Sequence, residues 1–389
     1  MRVAYATSYN AADPDAFNGS AYWVVECMRR QSIEVDLLGP LRTDAHRYAV
    51  GIKYRLYTRL LHRRYDWQRD PLSVRAFGRE IAAKLTERPA DLVLSGVSPG
   101  SQPVAYLECR EPIVIWTDAT FAGAARQNRE NLRRLARETR RAAYANERAA
   151  LERAALVIYL SEWAAESARE AYDLDESEVE VLPFGPALEI EHGADDVGRL
   201  IDARPAEPCR LLLVGTKWWG KGADVAVEVA RRLNRSGLRT ELDLVGCTPP
   251  AGETLPEWAH VHGFLGKSSP ADLELLRRMY AAAHFFILPT RAEAFGVVFS
   301  EASAYGVPSL ARDVGGVASA VRNGRNGALF AEDAGPEEYT SFILETMADP
   351  AGYRARARAA FAEYETRLNW ANIGSRLKSL LERVAASAP

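Results

Sequence analysis

The chain has 389 residues, of which 48% are hydrophobic and 26% are charged, and its formal net charge is −3. This composition is typical of a folded globular protein of about two domains, and the balanced charge argues against a nucleic-acid partner. The four cysteines form no CxxC pair and no apolar run approaches 18 residues, so the sequence predicts neither a zinc or redox motif nor a membrane-spanning helix.

Short apolar runs alternate with helix-like stretches along the first half of the chain. They predict strands at 3–7, 33–38, 91–95, 113–116, 155–160 and 178–182. We also expect a helix at Ser20–Arg30 and a long Arg-rich helix over about 126–155. Because the long helix mixes arginines with Glu130, Glu138 and Glu147, we interpret it as a surface helix carrying ion pairs.

The second half shows the same alternation more regularly. Strands are predicted at 210–214, 241–245, 260–264, 284–288 and 307–311, and helices at 223–233, 270–283 and 296–305. Ser269-Pro270 has the pattern of an N-cap followed by proline at the first helical position, and Gly306 fits a left-handed helix stop. The repeated strand–helix order predicts parallel sheets covered on both faces.

This order predicts two α/β domains, each built on a doubly wound parallel sheet of the Rossmann-like kind. We expect an N-terminal domain over 1–185, a linker over 186–207, a C-terminal domain over 208–365 and a final helix over 366–389. The final helix is amphipathic, and we expect it to cross back to the N-terminal domain. A ligand site is expected in the cleft between the two sheets, at the carboxyl ends of their strands.

The segment from Glu293 to Ala302 follows a predicted buried strand and opens a helix. The free N–H groups of Phe295, Gly296 and Val297 would form an anion site at the helix start. Glu293 and Glu301 flank this site, and a carboxylate can accept two hydrogen bonds from a ribose diol. Alternatively, Glu301 is a solvated helix residue and Glu293 a first-turn acid that favours the helix dipole.

A second candidate site lies between the predicted strand at 210–214 and the next helix. Gly215-x4-Gly220-Lys221 nearly matches a phosphate-binding P-loop, but Gly222 stands where the metal-binding hydroxyl belongs. On this ground we reject a P-loop NTPase. Such an enzyme would hydrolyse ATP in the presence of Mg²⁺.

These segments resemble the signature of retaining GT-B glycosyltransferases of family 4, also called glycosyltransferase group 1. The resemblance rests on Glu293-x7-Glu301 with its continuation over 302–308, on Val314-Gly315-Gly316-Val317, and on the Asn-Gly segment over 323–330. It covers nearly the whole chain and is more specific in the second half. It implies the GT-B fold, with two Rossmann-like domains that face a central cleft.

The resemblance also implies residue roles. Glu293 would contact the donor sugar, Glu301 would hold the ribose and Lys221 would neutralise the leaving diphosphate. The family usually has an arginine where this chain has Thr216, which leaves open whether the neighbouring Lys217 supplies the second cation. The donor-binding residues implied in this way are Gly19, Thr216, Lys217, Lys221, Phe264, Phe295, Gly296, Val297 and Glu301, with Phe264 in a loop that packs against the nucleobase.

The first half carries weaker candidates. Asn18-Gly19-Ser20 resembles the Gly-rich loop that reaches toward the donor, although Asn-Gly is foremost a turn signal. Asp118 follows a predicted strand where many family members have a histidine, and it would lie near the reacting centre; capping of the next helix is the alternative. Trp116, Ser98 and Gln102 are predicted to line the acceptor pocket.

The implied activity is retaining, metal-independent hexosyl transfer from a nucleotide-diphosphate sugar, UDP- or GDP-linked, to a hydroxyl group. The acceptor would be a glycan, a lipid-linked sugar or a small molecule, and Asp118, Lys221 and Glu293 would be catalytic. We expect no cofactor beyond the donor and no metal. Two alternatives stay open: a nucleotide-sugar epimerase on the same fold, and a non-catalytic nucleotide-sugar-binding protein, which Thr216 makes conceivable.

One stretch, over 42–69, is unusually rich in basic and aromatic residues and has only Asp44 and Asp66 to oppose them. It could contact an anionic lipid surface or a phosphorylated acceptor, form a solvated helix, or cover the acceptor as a lid. Because the start of the chain lacks the apolar core of a signal peptide, we expect a cytoplasmic protein, with peripheral contact at the inner membrane face as one option. The basic members are Arg42, Arg47, Lys53, Arg55, Arg59, Arg63, Arg64 and Arg69, and the aromatic members are Tyr48, Tyr54, Tyr57, Tyr65 and Trp67.

Overall fold

The computed structural model describes residues 1–41, 47–96 and 102–387. The chain divides into two compact units. Unit 1 comprises Met1–Leu182 with Ile373–Pro389, and unit 2 comprises Pro183–Asn372.

Unit 1 is built on a parallel sheet of six strands within the described residues, in the order β2-β1-β3-β4-β5-β6. The strands are β1 (Arg2–Ala6), β2 (Glu34–Leu37), β3 (Leu92–Gly96), β4 (Ile113–Thr117), β5 (Ala154–Tyr159) and β6 (Val179–Val181). The helices are α1 (Ser20–Arg30), α2 (Arg47–Arg55), which continues as a π-helical turn over Leu56–Leu60, α3 (Pro71–Glu87), α4 (Phe121–Gln127), α5 (Arg129–Arg134), α6 (Arg137–Leu151) and α7 (Glu162–Tyr172).

Unit 2 contains a second parallel sheet of six described strands, in the order β12-β11-β10-β7-β8-β9. The strands are β7 (Cys209–Val214), β8 (Thr240–Val245), β9 (Ala259–Gly263), β10 (Phe285–Leu288), β11 (Ser309–Arg312) and β12 (Gly327–Phe330). The helices are α8 (Ala194–Ala203), α9 (Trp218–Lys221), α10 (Ala223–Arg235), α11 (Pro270–Ala282), α12 (Val297–Ala304), α13 (Val317–Ala320), α14 (Pro336–Met347), α15 (Pro350–Glu363) and α16 (Trp370–Ala386), which ends in unit 1.

The central strands of both sheets are continuous apolar runs, as helices on both faces require. All residues of β4 and all residues of β10 are buried. The predicted strands lie within about two residues of the observed ones, and Ser269 caps α11 by accepting a hydrogen bond from the Asp272 N–H. The prediction of two doubly wound parallel sheets is confirmed.

The single long helix predicted over about 126–155 is wrong, because the segment is broken into α4, α5 and α6. Between α5 and α6 the backbone pairs with another part of unit 1: the Arg64 N–H donates to the Arg134 carbonyl, and the Ala136 N–H donates to the Arg64 carbonyl. Backbone groups used in this way cannot continue a helix. The interruption depends on a distant residue, which local periodicity does not report.

The polar stretch over 186–207 contains α8, whose Val197 and Ile201 pack against Ala357 and Phe361 of α15. At the other end of unit 2, α16 leaves that unit and packs on unit 1. Gly374 approaches Cys27 so closely that a Cβ at this position would lie 3.0 Å from the Cys27 Sγ. Arg376 and Arg383 each donate to the Glu180 carboxylate at 3.0 Å.

The strand order of unit 2 reverses between β7 and β10, which are neighbours in the sheet although β8 and β9 lie between them along the chain. The loops that leave their carboxyl ends lie at this switch point, which is the usual ligand site of an open parallel sheet. In this chain those loops are 215–222 and 289–296, the two segments singled out by sequence.

Candidate functional site

Glycines allow the loop after β7 to pack tightly. Gly215 leaves room for the Lys221 side chain, since a Cβ there would lie 2.8 Å from the Lys221 Cγ. Gly222 has φ of +74°, and a Cβ on it would lie 2.3 Å from the Pro289 carbonyl oxygen. The Gly220 carbonyl accepts from the Arg291 N–H at 3.0 Å. The two loops at the switch point therefore form one packed structure.

Lys221 and Glu293, which the sequence assigned to the donor, form an ion pair at the centre of this structure. Both are mostly buried, with 24% of the Lys221 side chain and 14% of the Glu293 side chain exposed. The Glu293 carbonyl accepts from the Gly316 N–H at 3.1 Å. The Gly-Gly segment that the sequence singled out thus holds the backbone of Glu293 in place.

The start of α12 lies directly beside this ion pair. Gly296 has φ of +85°, and a Cβ on it would lie 2.6 Å from the Phe299 ring and 3.4 Å from the Glu293 Cγ. Phe295 is buried. The N–H groups of Phe295, Gly296 and Val297 precede the first intrahelical bonds of α12 and have no acceptor among the described residues. A cation and several N–H donors therefore lie together, as an anionic ligand requires.

Glu301 is fully buried, so the alternative that it is a solvated helix residue is wrong. Its Oε1 accepts from the Lys267 Nζ at 2.7 Å and from the Ala187 N–H at 3.2 Å, and its Oε2 accepts from the Tyr280 hydroxyl at 2.7 Å. Burial raises the pKa of Tyr280 well above its usual range, and the Glu301 carboxylate raises it further. Lys267 is the partner with solvent access, at 21% exposed.

The remaining donor-side residues lie on the surface of unit 2. Thr216 and Lys217 are exposed in the loop that precedes α9. Phe264 follows β9, and its side chain is 70% exposed. Of the two tryptophans in the loop after β7, Trp218 is buried and Trp219 is 59% exposed.

The structure places the predicted residues of unit 1 in different surroundings. Gly19 precedes α1 with φ of +78°, and a Cβ on it would lie 2.7 Å from the Pro14 carbonyl oxygen. Ser98 lies outside the described residues, and Gln102 begins a short 3-10 helix. Trp116 is fully buried and its Nε1 donates to the Leu182 carbonyl at 3.3 Å, so it has no surface for an acceptor.

Asp118 lies just beyond β4 near Tyr9, in the loop after β1. Burial raises the pKa of Tyr9, and the carboxylates of Asp66 and Asp118 raise it further. The alternative role of Asp118 as a helix cap is wrong, because Thr120 caps α4 by accepting from the Gly123 N–H at 2.9 Å. Asp118 thus belongs to a polar cluster at the carboxyl edge of the unit 1 sheet.

Comparison with known proteins identifies the family. Residues 20–189 match the family described as Glycosyltransferase Family 4, and residues 208–349 match the one described as Glycosyl transferases group 1. The chain belongs to the group 1 glycosyltransferases. The resemblance stated from the Glu293, Glu301 and Gly-rich segments is confirmed.

Three proteins illustrate what the chain is similar to. A D-inositol 3-phosphate glycosyltransferase of Acidothermus cellulolyticus is 29% identical over 213 residues, which are 52% of this chain and 47% of that protein. The chain therefore spans about half the length of the curated relatives it matches. Sucrose-phosphate synthase of Thermosynechococcus elongatus superposes over 100% of both chains with a TM-score of 0.72 and 18% identity. HepE of Anabaena, solved in complex with UDP-glucose, superposes over 98% of this chain and 100% of its own with a TM-score of 0.62 and 16% identity. These likenesses confirm the GT-B fold.

Three residues of this site were missed by sequence reasoning. Lys267 and Tyr280 bind Glu301 from a loop and a helix that lie 34 and 21 residues away. Arg291 binds both carboxylate oxygens of Asp224, at 3.0 and 2.7 Å, and joins the loop after β10 to α10. No local pattern marks such long-range pairs.

Two further features concern metal ions and membranes. In the described parts of the chain, no three His, Cys, Asp or Glu side chains are grouped as metal ligands would be. Likewise, none of the described helices combines the length and apolarity needed to cross a membrane.

Proposed function

We propose that this glycosyltransferase moves a hexosyl group from a nucleotide-diphosphate sugar to an acceptor hydroxyl with retention of anomeric configuration. The observation that carries the proposal is the Lys221–Glu293 pair beside the free N–H groups at the start of α12. Lys221 would meet the negative charge that develops on the leaving diphosphate, and the N–H groups would bind its oxygens. Glu293 would then accept hydrogen bonds from sugar hydroxyls.

The ion pair itself suggests how the donor would enter. An incoming diphosphate competes with the Glu293 carboxylate for the Lys221 ammonium, and displaced Glu293 becomes available to the sugar. Binding would thus exchange one anion for another beside Lys221. This exchange avoids leaving an unpaired charge in a mostly buried position.

Metal independence is part of the proposal and rests on the positive groups already at the switch point. Lys221 and the N–H groups of α12 supply part of the charge that a divalent cation would supply elsewhere. Lys217, exposed at the end of the same loop, is the candidate for the cation that the family usually places at Thr216. The departing phosphate oxygen would take the acceptor's proton, so no separate base is nominated.

The donor class is proposed to be UDP- or GDP-linked. HepE, which shares the fold, was solved with UDP-glucose, and this supports UDP as the first nucleotide to test. A thermal-shift screen with UDP, GDP and their hexose conjugates would identify the ligand, because binding to the native state raises the melting temperature. Failure of every nucleoside diphosphate to bind would contradict the proposed function.

Lys221→Met tests the central role of this lysine. We expect turnover to fall by about 100- to 1,000-fold, as when a donor to developing negative charge is removed from an active site. The measurement is release of nucleoside diphosphate with and without acceptor, and the configuration of the product by NMR. Lys217→Met reports whether that residue is the second cation, and Arg278→Met on α11 is the surface control.

Four outcomes would count against parts of the proposal. Full activity of Lys221→Met would contradict the assignment of the diphosphate site. Activity abolished by EDTA and restored by a divalent cation would contradict metal independence. Conversion of the donor sugar without acceptor would indicate an epimerase, and binding without turnover across many acceptors would indicate a non-catalytic binding protein.

A further inference from the structure

A row of large apolar side chains is exposed on one side of α2 and its π-helical continuation. Ile52, Leu56 and Leu60 follow one another at four-residue intervals and are 67%, 45% and 70% exposed. Tyr54 and Leu61 beside them are 48% and 49% exposed. Together these five residues, here called the apolar ridge, concentrate exposed apolar surface in ten consecutive positions, and such patches usually mark an interaction site.

The opposite side of the same segment is firmly attached to unit 1. Val50 and Tyr57 pack against Tyr65 and Ala136. Lys53 donates to Asp70 at 2.9 Å and to Glu138 at 2.5 Å, and the Tyr57 hydroxyl donates to Glu138 at 3.0 Å. The apolar ridge therefore faces outward, because the opposite face of the segment packs on unit 1.

The charge around the ridge has one sign. The segment over 47–65 contains neither aspartate nor glutamate. Arg55, Arg59, Arg63 and Arg64 are all exposed. Arg63 also contacts α5, where it donates to the Arg133 carbonyl at 2.6 Å.

An arginine-lined pocket lies beside α5 and α6. It has a volume of about 480 Å³ and is lined by Leu132, Arg137, Arg140, Arg141 and Tyr144. The last four are spaced 3, 1 and 3 residues apart, so they share one face of α6. None of the three arginines is paired with a carboxylate in the part of the chain that the structure describes.

The acidic residues of α6 do not neutralise this pocket. Glu138 binds Lys53 and Tyr57, and Glu147 is buried, where it accepts from the Phe121 N–H at 2.7 Å and from the Tyr172 hydroxyl. The ion pairs expected on this Arg-rich segment are present at Arg126 with Glu170, Glu138 with Lys53 and Arg148 with Glu152. Arg137, Arg140 and Arg141 alone form a cluster of positive charge that no described carboxylate pairs with.

We propose that this face of unit 1 docks on the surface of an anionic phospholipid bilayer. The pocket of Arg137, Arg140 and Arg141 receives headgroup phosphates, and the ridge of Ile52, Leu56 and Leu60 enters the interfacial layer. Arginines attract anionic headgroups, and aliphatic side chains gain free energy only where hydrocarbon is present. A soluble phosphorylated acceptor or a nucleic acid would use the arginines but would leave the aliphatic ridge in water.

Vesicle co-sedimentation of the whole protein tests this proposal without any need for donor or turnover. The probes are phosphatidylcholine vesicles and vesicles in which about a third of the lipid is phosphatidylglycerol. We expect binding to the anionic vesicles only, weakened by added salt because the attraction is screened. Arg140→Ala with Arg141→Ala should weaken binding at least about tenfold, given the contribution of each basic residue near an anionic surface.

The ridge has its own variant and control. Leu56→Ser with Leu60→Ser should weaken binding about tenfold and leave the melting temperature unchanged, because both side chains are exposed. Leu275→Ser, at an exposed position in unit 2, should change neither. Equal binding of both vesicle types, no binding to either, or full binding by the arginine or leucine double variant would overturn the proposal. Stabilisation by inorganic phosphate with no vesicle binding would overturn it in favour of a soluble phosphorylated ligand.

Discussion

Charged side chains of the site are paired with partners that a ligand could replace. Lys221 holds Glu293, and Lys267 holds Glu301, each in a position with limited access to water. Burying a charge is costly unless it is paired, so both pairs stabilise the unit while they last. In the proposed function, a diphosphate and a ribose would take the places of Glu293 and Lys267 respectively.

This arrangement predicts that Lys267 competes with the ribose for Glu301. Removing the amine by Lys267→Met should therefore tighten binding of UDP, or of GDP if that is the ligand, by about tenfold. The same change should lower the melting temperature, because a buried carboxylate loses its cation. Calorimetric titration measures the first effect and thermal unfolding the second.

A 2′,3′-dideoxy nucleotide is the matched control, because it lacks the hydroxyls that would reach Glu301. Its affinity should be the same for the parent and for Lys267→Met. Weaker binding of the ordinary nucleotide by the variant would show instead that Lys267 helps to hold the ligand. A parent protein that binds no nucleotide at all would contradict the proposed function rather than this role of Lys267.

At the scale of elements, the site depends on two loops of unit 2 that fit against each other. Gly222 ends α9, begins α10 and touches the Pro289 carbonyl, while Gly296 makes the corresponding sharp entry into α12. Both have positive φ, which costs a residue with a Cβ roughly 1–2 kcal/mol. The tertiary contact adds a second cost at Gly222, because a Cβ there would collide with the Pro289 carbonyl, which is rigid backbone.

Gly222→Ala and Gly237→Ala separate these two costs. Both positions have positive φ, at +74° and +92°, but a Cβ on Gly237 would meet nothing within 4 Å. We expect Gly237→Ala to lower the free energy of unfolding by roughly 1–2 kcal/mol. Gly222→Ala should cost at least about 3 kcal/mol and reduce activity, since backbone shifts of this kind add their own strain. Chemical denaturation measures both, and equal losses would contradict the tight packing of the two loops.

At the scale of the whole molecule, the end of the chain completes the unit in which the chain began. Residues of α16 from Ile373 onward belong to unit 1, and Ile373, Leu377 and Leu381 are buried. Unit 1 therefore cannot assemble its full core until the last residues are present. The 182 residues that come first in the chain lack that contribution by themselves.

Leu377→Ala should destabilise unit 1 selectively. Truncating a fully buried leucine costs about 2–5 kcal/mol, and this should appear as faster hydrogen exchange in α1 and β6. Exchange in α10 of unit 2 should not change. Glu382→Ala, at an exposed position of the same helix, is the control and should leave both units as they are. Equal acceleration in both units would contradict the assignment of α16 to unit 1.

The sequence by itself determined the two α/β sheets, the loops at the switch point and the positions of Lys221, Glu293 and Gly296. These features follow from local patterns: apolar runs of strand length, glycines before helices, and charged residues in the loops between them. The family resemblance followed from the same segments. Periodicity and spacing were sufficient because each feature involves residues that are close in the chain.

Only the tertiary structure decided how these residues are paired and which of them are buried. It placed Lys267 and Tyr280 on Glu301, buried Trp116, and divided the Arg-rich segment where Arg64 pairs with its backbone. It also paired Glu138 with Lys53 and buried Glu147, which leaves Arg137, Arg140 and Arg141 without a carboxylate partner among the described residues. Such outcomes depend on contacts between residues far apart in the chain, and short-range patterns carry no information about them.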